Sequence, residues 1–428
     1  MVAATKKNLG GHKICLVTPL HLSYNPRVLK EADALHAAGH QVRVVAMNLE
    51  ESKARLDQSL MAPRRWKLEM LNVRRDKPAG RLRWLKATLR QRLYQRIRAL
   101  EKLPGGLDKA YSRYVLELSR LAAREPADLV IAHVLPALPA AAAAARRWNA
   151  KLGFDAEDFH RGEIHEADGH GAFLRRLIMA VEQKYIPRCD YLSAASDGIG
   201  GAYASTLGVR KPVTILNVFP LSERNGHTPV EELRKERQGK GLSLYWYSQR
   251  IGADRGLDDA LQAVSLLSKG VHIHLRGAWA AGYETVFRDK VRALGIEEQV
   301  HILPPAPPEQ LVERAAQHDV GLALEAGATE NRRVAVTNKI LNYLLAGLAV
   351  AATDVPGQRA IMEGASGAGV LFKPGDAPVL ARQLKQWIEN PGQLQMAKAR
   401  SRQCAEENFC WDMEKEKLIK AVEDALCA

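Results

Sequence analysis

Residues 13–48 decide the fold and read KICLVTPLHLSYNPRVLKEADALHAAGHQVRVVAMN. The stretch opens at 13–20 with a short apolar run rich in β-formers, which is typical of a buried strand. Residues 25–40 then place apolar side chains at helical spacing and reach Gly39, a natural helix stop. Because 41–48 is again an apolar run, the order is strand, helix, strand. This βαβ unit predicts a parallel sheet.

The same alternation of strands and helices resumes at residue 128 and, after a break, at residue 242. It predicts an α/β protein with two doubly wound, Rossmann-like domains facing each other across a cleft. In such sheets ligands bind at the carboxyl ends of the strands. The further predicted strands are 128–134, 151–158, 190–196 and 213–218 in the first set and 242–248, 271–277, 300–305, 320–325 and 348–355 in the second.

The break between the two sets suggests the domain boundaries. Residues 219–241 are polar and interrupted by Pro and Gly, as expected of a linker. We therefore predict an N-terminal domain at 1–218 and a C-terminal domain at 242–395. A helical segment at 396–428 is expected to pack back on the N-terminal domain.

Composition excludes several classes of protein. With 428 residues, of which 46% are hydrophobic and 26% charged, the chain is neither disordered nor a small disulfide scaffold. Its five cysteines are scattered and odd in number, which favours a reducing compartment. The first residues lack the apolar core of a secretory signal, and no run is continuously apolar enough for a membrane span. We expect a soluble, cytoplasmic protein.

Positive charge is concentrated in one segment. The formal net charge is +14, and residues 53–102 hold sixteen Lys or Arg against four Asp or Glu. Within it, six apolar side chains recur every three or four residues, which is typical of an amphipathic helix. Three interpretations stay open. The helix packs on the protein with a solvated basic face, or it attaches to an anionic membrane at the inner membrane face. The third is binding to nucleic acid, which is not expected because no binding motif accompanies the charge. The six side chains are Leu82, Leu85, Leu89, Leu93, Ile97 and Leu100.

Several segments together resemble one family. The stretch NPRVLKEADALHAAGHQVRVVA resembles the N-terminal signature of family-4 retaining glycosyltransferases of the GT-B fold, the group 1 type. The likeness covers roughly 13–48 and 126–415 in the expected order. The other matching segments are 128–158, 190–209 with 215–218, 247–264 and 337–357.

The resemblance implies a nucleotide-sugar donor in the C-terminal domain. Arg250 and Arg255 suit the donor diphosphate because forked guanidinium donors match its oxygens. Thr337 and Asn338 are expected to begin a helix whose free N–H groups face the same phosphates. The remaining donor-side candidates are Lys339, Asn342, Gly277, Glu325 and Glu330.

The donor site departs from the family at two positions. Members of the family commonly have two glutamates eight residues apart in this site, and these glutamates align with Val334 and Asn342. An Asn side chain still offers a donor and an acceptor to the ribose hydroxyls that the second glutamate holds. Val334 cannot bond a sugar hydroxyl, so the role of the first glutamate falls to Glu325 or Glu330, or the sugar is held differently.

In the N-terminal, acceptor-side domain the resemblance points to the ends of strands. His133 aligns with the family's histidine and is expected to bond the transferred sugar or position the acceptor, the alternative being a structural histidine. Asn25, Arg27, Glu157 and Asp158 are the acceptor-side candidates. No metal and no other cofactor are expected, since cationic side chains and helix dipoles serve the phosphates in GT-B enzymes.

The resemblance thus implies transfer of a sugar from a nucleotide sugar to a saccharide or lipid-linked acceptor, with retention of configuration. Cell-surface polysaccharide or glycolipid synthesis is the expected setting. Two alternatives stay open: a sugar-nucleotide epimerase on the same fold, and a non-catalytic nucleotide-sugar-binding or scaffold protein with a degenerate donor site.

Overall fold

The computed structural model describes residues 11–164, 169–224, 229–253, 255–267 and 270–428. The chain divides into two compact units. Unit 1 holds the described residues up to Ile215 together with Lys415–Ala428, and unit 2 holds Leu216–Glu414. All five cysteines are free thiols. No helix in the described part of the chain is both long and apolar enough to span a membrane.

Unit 1 is built on a parallel sheet of seven strands with the order β3-β2-β1-β4-β5-β6-β7. The strands are β1 Lys13–Val17, β2 Gln41–Asn48, β3 Lys67–Asn72, β4 Leu129–His133, β5 Lys151–Ala156, β6 Tyr191–Ala194 and β7 Val213–Thr214. Its helices are α1 Pro26–Ala37, α2 Glu51–Met61, α3 Pro78–Arg96, α4 Arg98–Glu101, α5 Gly106–Tyr111, α6 Val115–Ala122, α7 Leu138–Trp148, α8 Gly169–Tyr185 and α9 Asp197–Leu207.

Unit 2 repeats the plan with a parallel sheet of six strands in the order β10-β9-β8-β11-β12-β13. The strands are β8 Leu242–Ile251, β9 Val271–Trp279, β10 Val300–Leu303, β11 Val320–Ala323, β12 Ala349–Thr353 and β13 Gly369–Phe372. Its helices are α10 Val230–Glu236, α11 Leu257–Ser265, α12 Tyr283–Leu294, α13 Leu311–Ala315, α14 Glu330–Val334, α15 Asn338–Ala346, α16 Pro356–Gly364, α17 Ala377–Glu389 and α18 Pro391–Asn408. The last helix, α19 Trp411–Cys427, begins in unit 2 and ends in unit 1.

The prediction of two Rossmann-like α/β folds is confirmed. Both sheets are entirely parallel, and in each the strand order reverses beside the first strand, as in doubly wound folds. The central strands are buried on both faces, which explains their continuous apolar runs.

The structure differs from the sequence prediction at the sheet edges. The edge strands β3 and β13 were not predicted, since KLEMLN carries charges and GVLF is only four residues long. The strand predicted at 213–218 is paired only over Val213–Thr214. The segment predicted as a linker contains α10, whose Glu236 pairs with Arg276 and Arg314 of unit 2.

A cluster of histidines packs inside unit 2. His274 on β9 stacks on His301 of β10 and lies near His318, and Ser243 Oγ is 3.1 Å and 2.7 Å from the Nδ1 atoms of His274 and His318. The backbone N–H of Gln238 donates to His274 Nε2 at 3.0 Å. Burial, with a contribution from the neighbouring His301, lowers the pKa of His274 to about 4. The cluster is therefore neutral in the folded state at pH 7.

We predict that unit 2 loses stability as the pH falls from about 6.5 towards 4. In this range the unfolded chain binds a proton at His274 that the folded chain excludes, so the free energy of unfolding falls by about 2 kcal/mol between pH 7 and pH 5. His274→Gln should remove this part of the pH dependence in urea unfolding curves. His36→Gln, at an exposed position on α1, should retain it. An unchanged pH dependence in His274→Gln would contradict the assignment.

Candidate functional site

The site of unit 1 forms where the strand order of its sheet reverses. Strands β1 and β4 are neighbours there. After β1 the next strand, β2, is added on one side of the pair, and after β4 the next strand, β5, is added on the other side. The loop after β1 leads to α1, whose N-cap Asn25 accepts a hydrogen bond from the backbone N–H of Val28. His133 ends β4 and Asp155 pairs beside it on β5. The predicted candidates of this unit thus meet at one sheet edge.

Arg27 and Asp155 form a buried, two-pronged ion pair. Arg27 Nε donates to Asp155 Oδ2 at 2.5 Å and Nη2 donates to Oδ1 at 2.7 Å, while Nη1 donates to the carbonyl of Ile215 at 2.6 Å. Ser193 Oγ also donates to Asp155 Oδ1. The pKa of Asp155 lies far below its usual value, because the charge of Arg27 outweighs the opposing effect of burial. Arg27, predicted on the acceptor side, is engaged entirely within its own unit.

His133 is fully buried among carboxylates. Its Nε2 is 3.1 Å from Glu31 Oε2, and its Nδ1 is 3.3 Å from Asp155 Oδ2 and 3.4 Å from Glu157 Oε1. Burial alone would lower the pKa of His133, but Glu31 and the two other carboxylates hold it well above the usual value. The ring is therefore an imidazolium at neutral pH. This geometry favours a positioning role, and direct contact with a sugar stays a prediction.

Glu31, His133 and Asp155 are close enough together to hold a metal ion. Two features of the site oppose a cation. The guanidinium of Arg27 already occupies both oxygens of Asp155, and the protonated ring of His133 has no lone pair to offer. We interpret the group as a charge-balanced structural cluster.

Asn25, Glu157 and Asp158 complete the acceptor-side candidates. Asn25 is buried, and its Nδ2 donates to Glu157 Oε1 at 2.6 Å. The Glu157 side chain is 22% exposed, so its carboxylate keeps access to solvent. Asp158 is half-buried, and its carbonyl accepts a hydrogen bond from Tyr203 at 3.2 Å. Glu157 is thus the acceptor-side candidate that the structure leaves best placed to meet a ligand.

Sequence reasoning missed the role of Glu31. The signal was present, because Glu31 follows Arg27 by four residues and so lies on the same face of α1. The sequence contains no comparable signal for Ser193, whose hydroxyl donates to Asp155.

The site of unit 2 begins with a bulge in β8. The pairing with β9 shifts register between Tyr247 and Arg250, which places one extra residue in β8. Arg250, predicted to follow this strand, instead lies within it, beyond the bulge, and is exposed. A Cβ on Gly277 would lie 2.4 Å from the carbonyl oxygen of Ser248, so glycine is needed there for the close approach of the two strands.

Arg255 is half-buried and directly precedes Gly256, the N-cap of α11. Gly256 has φ +70°, and a Cβ there would lie 2.7 Å from Cβ of Leu324. The turn therefore needs a glycine both for its backbone conformation and for its packing against Leu324, which directly follows β11. Both predicted arginines lie at the carboxyl end of β8, where the sheet of unit 2 reverses its order.

Helix α15 begins beside the same edge of the sheet. Thr337 is its N-cap, as predicted, although its hydroxyl does not cap the backbone. Instead Thr337 Oγ1 lies 3.4 Å from Nζ of Lys339, which is also 3.3 Å from Glu325 Oε1. Lys339 is buried and lies 5.7 Å above the ring of Trp246. The structure therefore brings Thr337, Lys339 and Glu325 together.

Asn342 lies one turn further along α15. Its side chain is fully buried, and neither its Nδ2 nor its Oδ1 has a hydrogen-bond partner among the described residues. A buried amide without partners costs roughly 1–3 kcal/mol. Such a group in a folded protein calls for an explanation, and an ordered water or a ligand that reaches the amide would supply one.

The remaining donor-side candidates are more peripheral. Asn338 is the exposed first residue of α15, and Glu330 is the exposed first residue of α14. No hydrogen bond or ion pair within the described ranges joins Glu330 to Lys339. Sequence reasoning missed Thr353, whose Oγ1 accepts from the backbone N–H of Glu325 at 2.8 Å and fixes that residue at the end of β11.

Two family descriptions match consecutive parts of the sequence. Residues 24–217 match the family described as "Glycosyl transferase 4-like domain", and residues 230–404 match "Glycosyl transferases group 1". The chain belongs to the group 1 glycosyltransferases. The resemblance seen in the sequence is therefore confirmed, and the GT-B fold with it.

Solved structures share the fold of this glycosyltransferase at low identity. Anabaena Alr3699/HepE in complex with UDP has a TM-score of 0.70 at 16% identity, over 96% of this chain and 100% of that one. Sucrose-phosphate synthase from Thermosynechococcus elongatus has a TM-score of 0.68 at 14% identity, over 97% and 99%. The lipopolysaccharide outer core galactosyltransferase WaaB has a TM-score of 0.58 at 14% identity, over 96% and 99%. A comparison with curated protein sequences found no match.

We predict that Arg27→Met destabilises this glycosyltransferase by about 3–5 kcal/mol, because it removes the two-pronged partner of the buried Asp155 carboxylate and leaves only the His133 ring near that charge. Urea unfolding measures the change. Adding Asp155→Asn should recover part of the loss, since it removes the unpaired charge. Arg382→Met, at an exposed position on α17, is the control and should change stability by less than about 0.5 kcal/mol. A loss below about 1 kcal/mol for Arg27→Met would show that the pair is not structural.

Proposed function

We propose that the protein transfers a sugar from a nucleotide-sugar donor held by unit 2 to a saccharide or lipid-linked acceptor bound through unit 1. The observation that carries the donor assignment is the buried, unpartnered amide of Asn342. An amide presents one acceptor and two donor hydrogens, which complement the two hydroxyls of a ribose. That Alr3699/HepE was solved with UDP supports the choice of a nucleoside diphosphate as the group to test.

The diphosphate would lie against the cationic side chains at the same sheet edge. Arg250 lies near the end of β8 and Arg255 follows that strand, and the first N–H groups of α15 carry the positive end of the helix dipole. Fixed positive charge of this kind stabilises the negative charge that develops on a leaving diphosphate. We therefore propose that Arg250 and Arg255 act on the leaving group, and that the reaction needs no metal or other cofactor.

We propose that the transfer retains the anomeric configuration, as the family resemblance implies. A front-face attack fits this outcome, with the departing phosphate accepting the proton of the acceptor hydroxyl. The alternative, a covalent sugar intermediate, needs a carboxylate at the reacting carbon. Of the two donor-side carboxylates, Glu325 is paired with Lys339 and Glu330 is exposed at the start of α14, so we assign neither of them as a nucleophile.

For the acceptor side we propose the carboxylate of Glu157, assisted by Asp158, as the group that contacts sugar hydroxyls. Glu157 is partly exposed and is held in place by Asn25. Synthesis of a cell-surface polysaccharide or glycolipid is the proposed setting. The shared fold with WaaB, a lipopolysaccharide outer core galactosyltransferase, supports this proposal.

The sharpest test is Asn342→Leu, which keeps the side-chain volume and removes the amide. We expect UDP binding measured by calorimetry without metal to weaken at least tenfold, because two hydrogen bonds to the ribose are lost. The melting temperature should be unchanged or higher, since an unpartnered buried polar group is replaced by an apolar one. A structural role for Asn342 would give the reverse pattern.

Two further variants serve as comparisons. Arg250→Ala should also weaken UDP binding at least tenfold, whereas Arg382→Ala on α17 should leave it within twofold of the unmodified protein. If UDP binds the Asn342 and Arg250 variants as tightly as it binds the unmodified protein, these residues do not belong to the donor site. If no nucleoside diphosphate binds the unmodified protein, the proposed function is wrong.

A further inference from the structure

Helix α3 exposes a stripe of leucines to solvent. Leu82, Leu85, Leu89 and Leu93 are 45–58% exposed, and they follow one another at intervals of three or four residues on one face. Ile97 continues the stripe with 46% exposure. Scattered single apolar side chains are normal on a protein surface, but a continuous stripe of this length marks an interaction site.

The opposite face of α3 fixes the helix to unit 1. Ala87 and Thr88 are buried there. Gln91 Nε2 donates to the carbonyl of Tyr111 at 3.0 Å, and Gln95 Nε2 donates to the carbonyl of Ala110 at 2.9 Å. These bonds set the rotation of the helix about its axis, so the leucines do not turn inward. The helix therefore packs on the protein with its basic side chains in solvent, which agrees with one of the three interpretations of the sequence, but its apolar stripe lies on the exposed side.

Basic side chains flank the leucine stripe. Arg81, Lys86, Arg92 and Arg96 of α3 and Arg98 at the start of α4 are exposed, and none forms an ion pair with another described residue. Arg90 differs, because it pairs with Glu117 at 2.7 Å and thereby helps to anchor the helix. Unpaired positive charges thus accompany the exposed leucines, whereas the charge of Arg90 is neutralised by unit 1.

A basic groove adjoins the C-terminal half of α3. Its volume is about 400 Å3, and its walls include Arg92, Arg96, His170 and Phe173. Cationic walls of this kind suit a phosphate group. The groove therefore extends the basic surface of α3 towards the start of α8.

We infer that the leucine stripe and its flanking cations, here called the α3 face, dock on an anionic phospholipid bilayer. Leucine side chains enter the boundary between headgroups and acyl chains, while the long stems of Arg and Lys keep their charges at the phosphates. Binding to nucleic acid would account for the cations but not for the exposed leucines. A twofold contact with a second copy would cover the leucines but set like charges against each other.

The proposal does not depend on sugar transfer. It is tested by measuring how much protein floats with each of two kinds of vesicle. The protein should bind vesicles containing phosphatidylglycerol at least tenfold more tightly than pure phosphatidylcholine vesicles, and high salt should weaken the binding. Equal binding to both vesicles, or no binding to the anionic ones, would overturn the inference.

Two triple variants separate the apolar and the electrostatic contributions. Leu85→Gln with Leu89→Gln and Leu93→Gln should weaken binding to anionic vesicles at least tenfold. Lys86→Glu with Arg92→Glu and Arg96→Glu should do the same. All six positions are exposed, so the melting temperature should stay close to that of the unmodified protein.

Matched controls come from exposed positions of unit 2. The apolar control replaces Leu266, Val286 and Met396 by Gln, and the charge control replaces Lys240, Lys373 and Arg382 by Glu. Both should bind within twofold of the unmodified protein. If a control loses as much affinity as its test variant, the α3 face is not the docking surface. A dimer in light scattering that the leucine variant dissociates would assign the face to a second copy instead.

Discussion

Every strand within each unit runs in the same direction, because a helix or helical segment returns the chain to the starting edge after each strand. This constraint gathers the carboxyl ends of all strands at one edge of each sheet. Residues that are far apart in sequence, such as Arg27 and Asp155, or Arg250 and Glu325, are thereby placed at the same edge. Both candidate sites follow from this parallel geometry and from the point where the strand order reverses.

The two units use this edge differently. In unit 1 the buried charges balance one another electrostatically, since Arg27, His133 and three carboxylates form a nearly balanced cluster. Such a cluster stabilises a particular loop geometry and holds Asn25 and Glu157 in place. In unit 2 the amide of Asn342 is buried without a partner, and Arg250 is exposed. The proposal of a donor site in unit 2 rests on this difference.

Much of the fold could be predicted from the sequence, because buried parallel strands leave continuous apolar runs and the helices between them have helical periodicity. Strand β2 at Gln41–Asn48 was predicted with its observed bounds, and the start of α15 at Thr337 and Asn338 was predicted as observed. The edge strand β3 was missed, since an edge strand needs no continuous apolar run. The orientation of α3 could not be predicted either, because periodicity identifies an apolar face but does not say what covers it. Likewise the sequence placed His133 at a strand end, but only the structure shows the carboxylates that surround it.

The central claim is that the strand ends of unit 2 hold the diphosphate and ribose of a nucleotide sugar. The most direct measurement is a crystal structure of the protein with UDP, grown without divalent metal. The account predicts diphosphate oxygens within hydrogen-bond distance of Arg250 or Arg255 and of the first N–H groups of α15, with the ribose hydroxyls at Asn342. A nucleotide bound elsewhere, or a ribose that leaves the Asn342 amide without a partner, would contradict it.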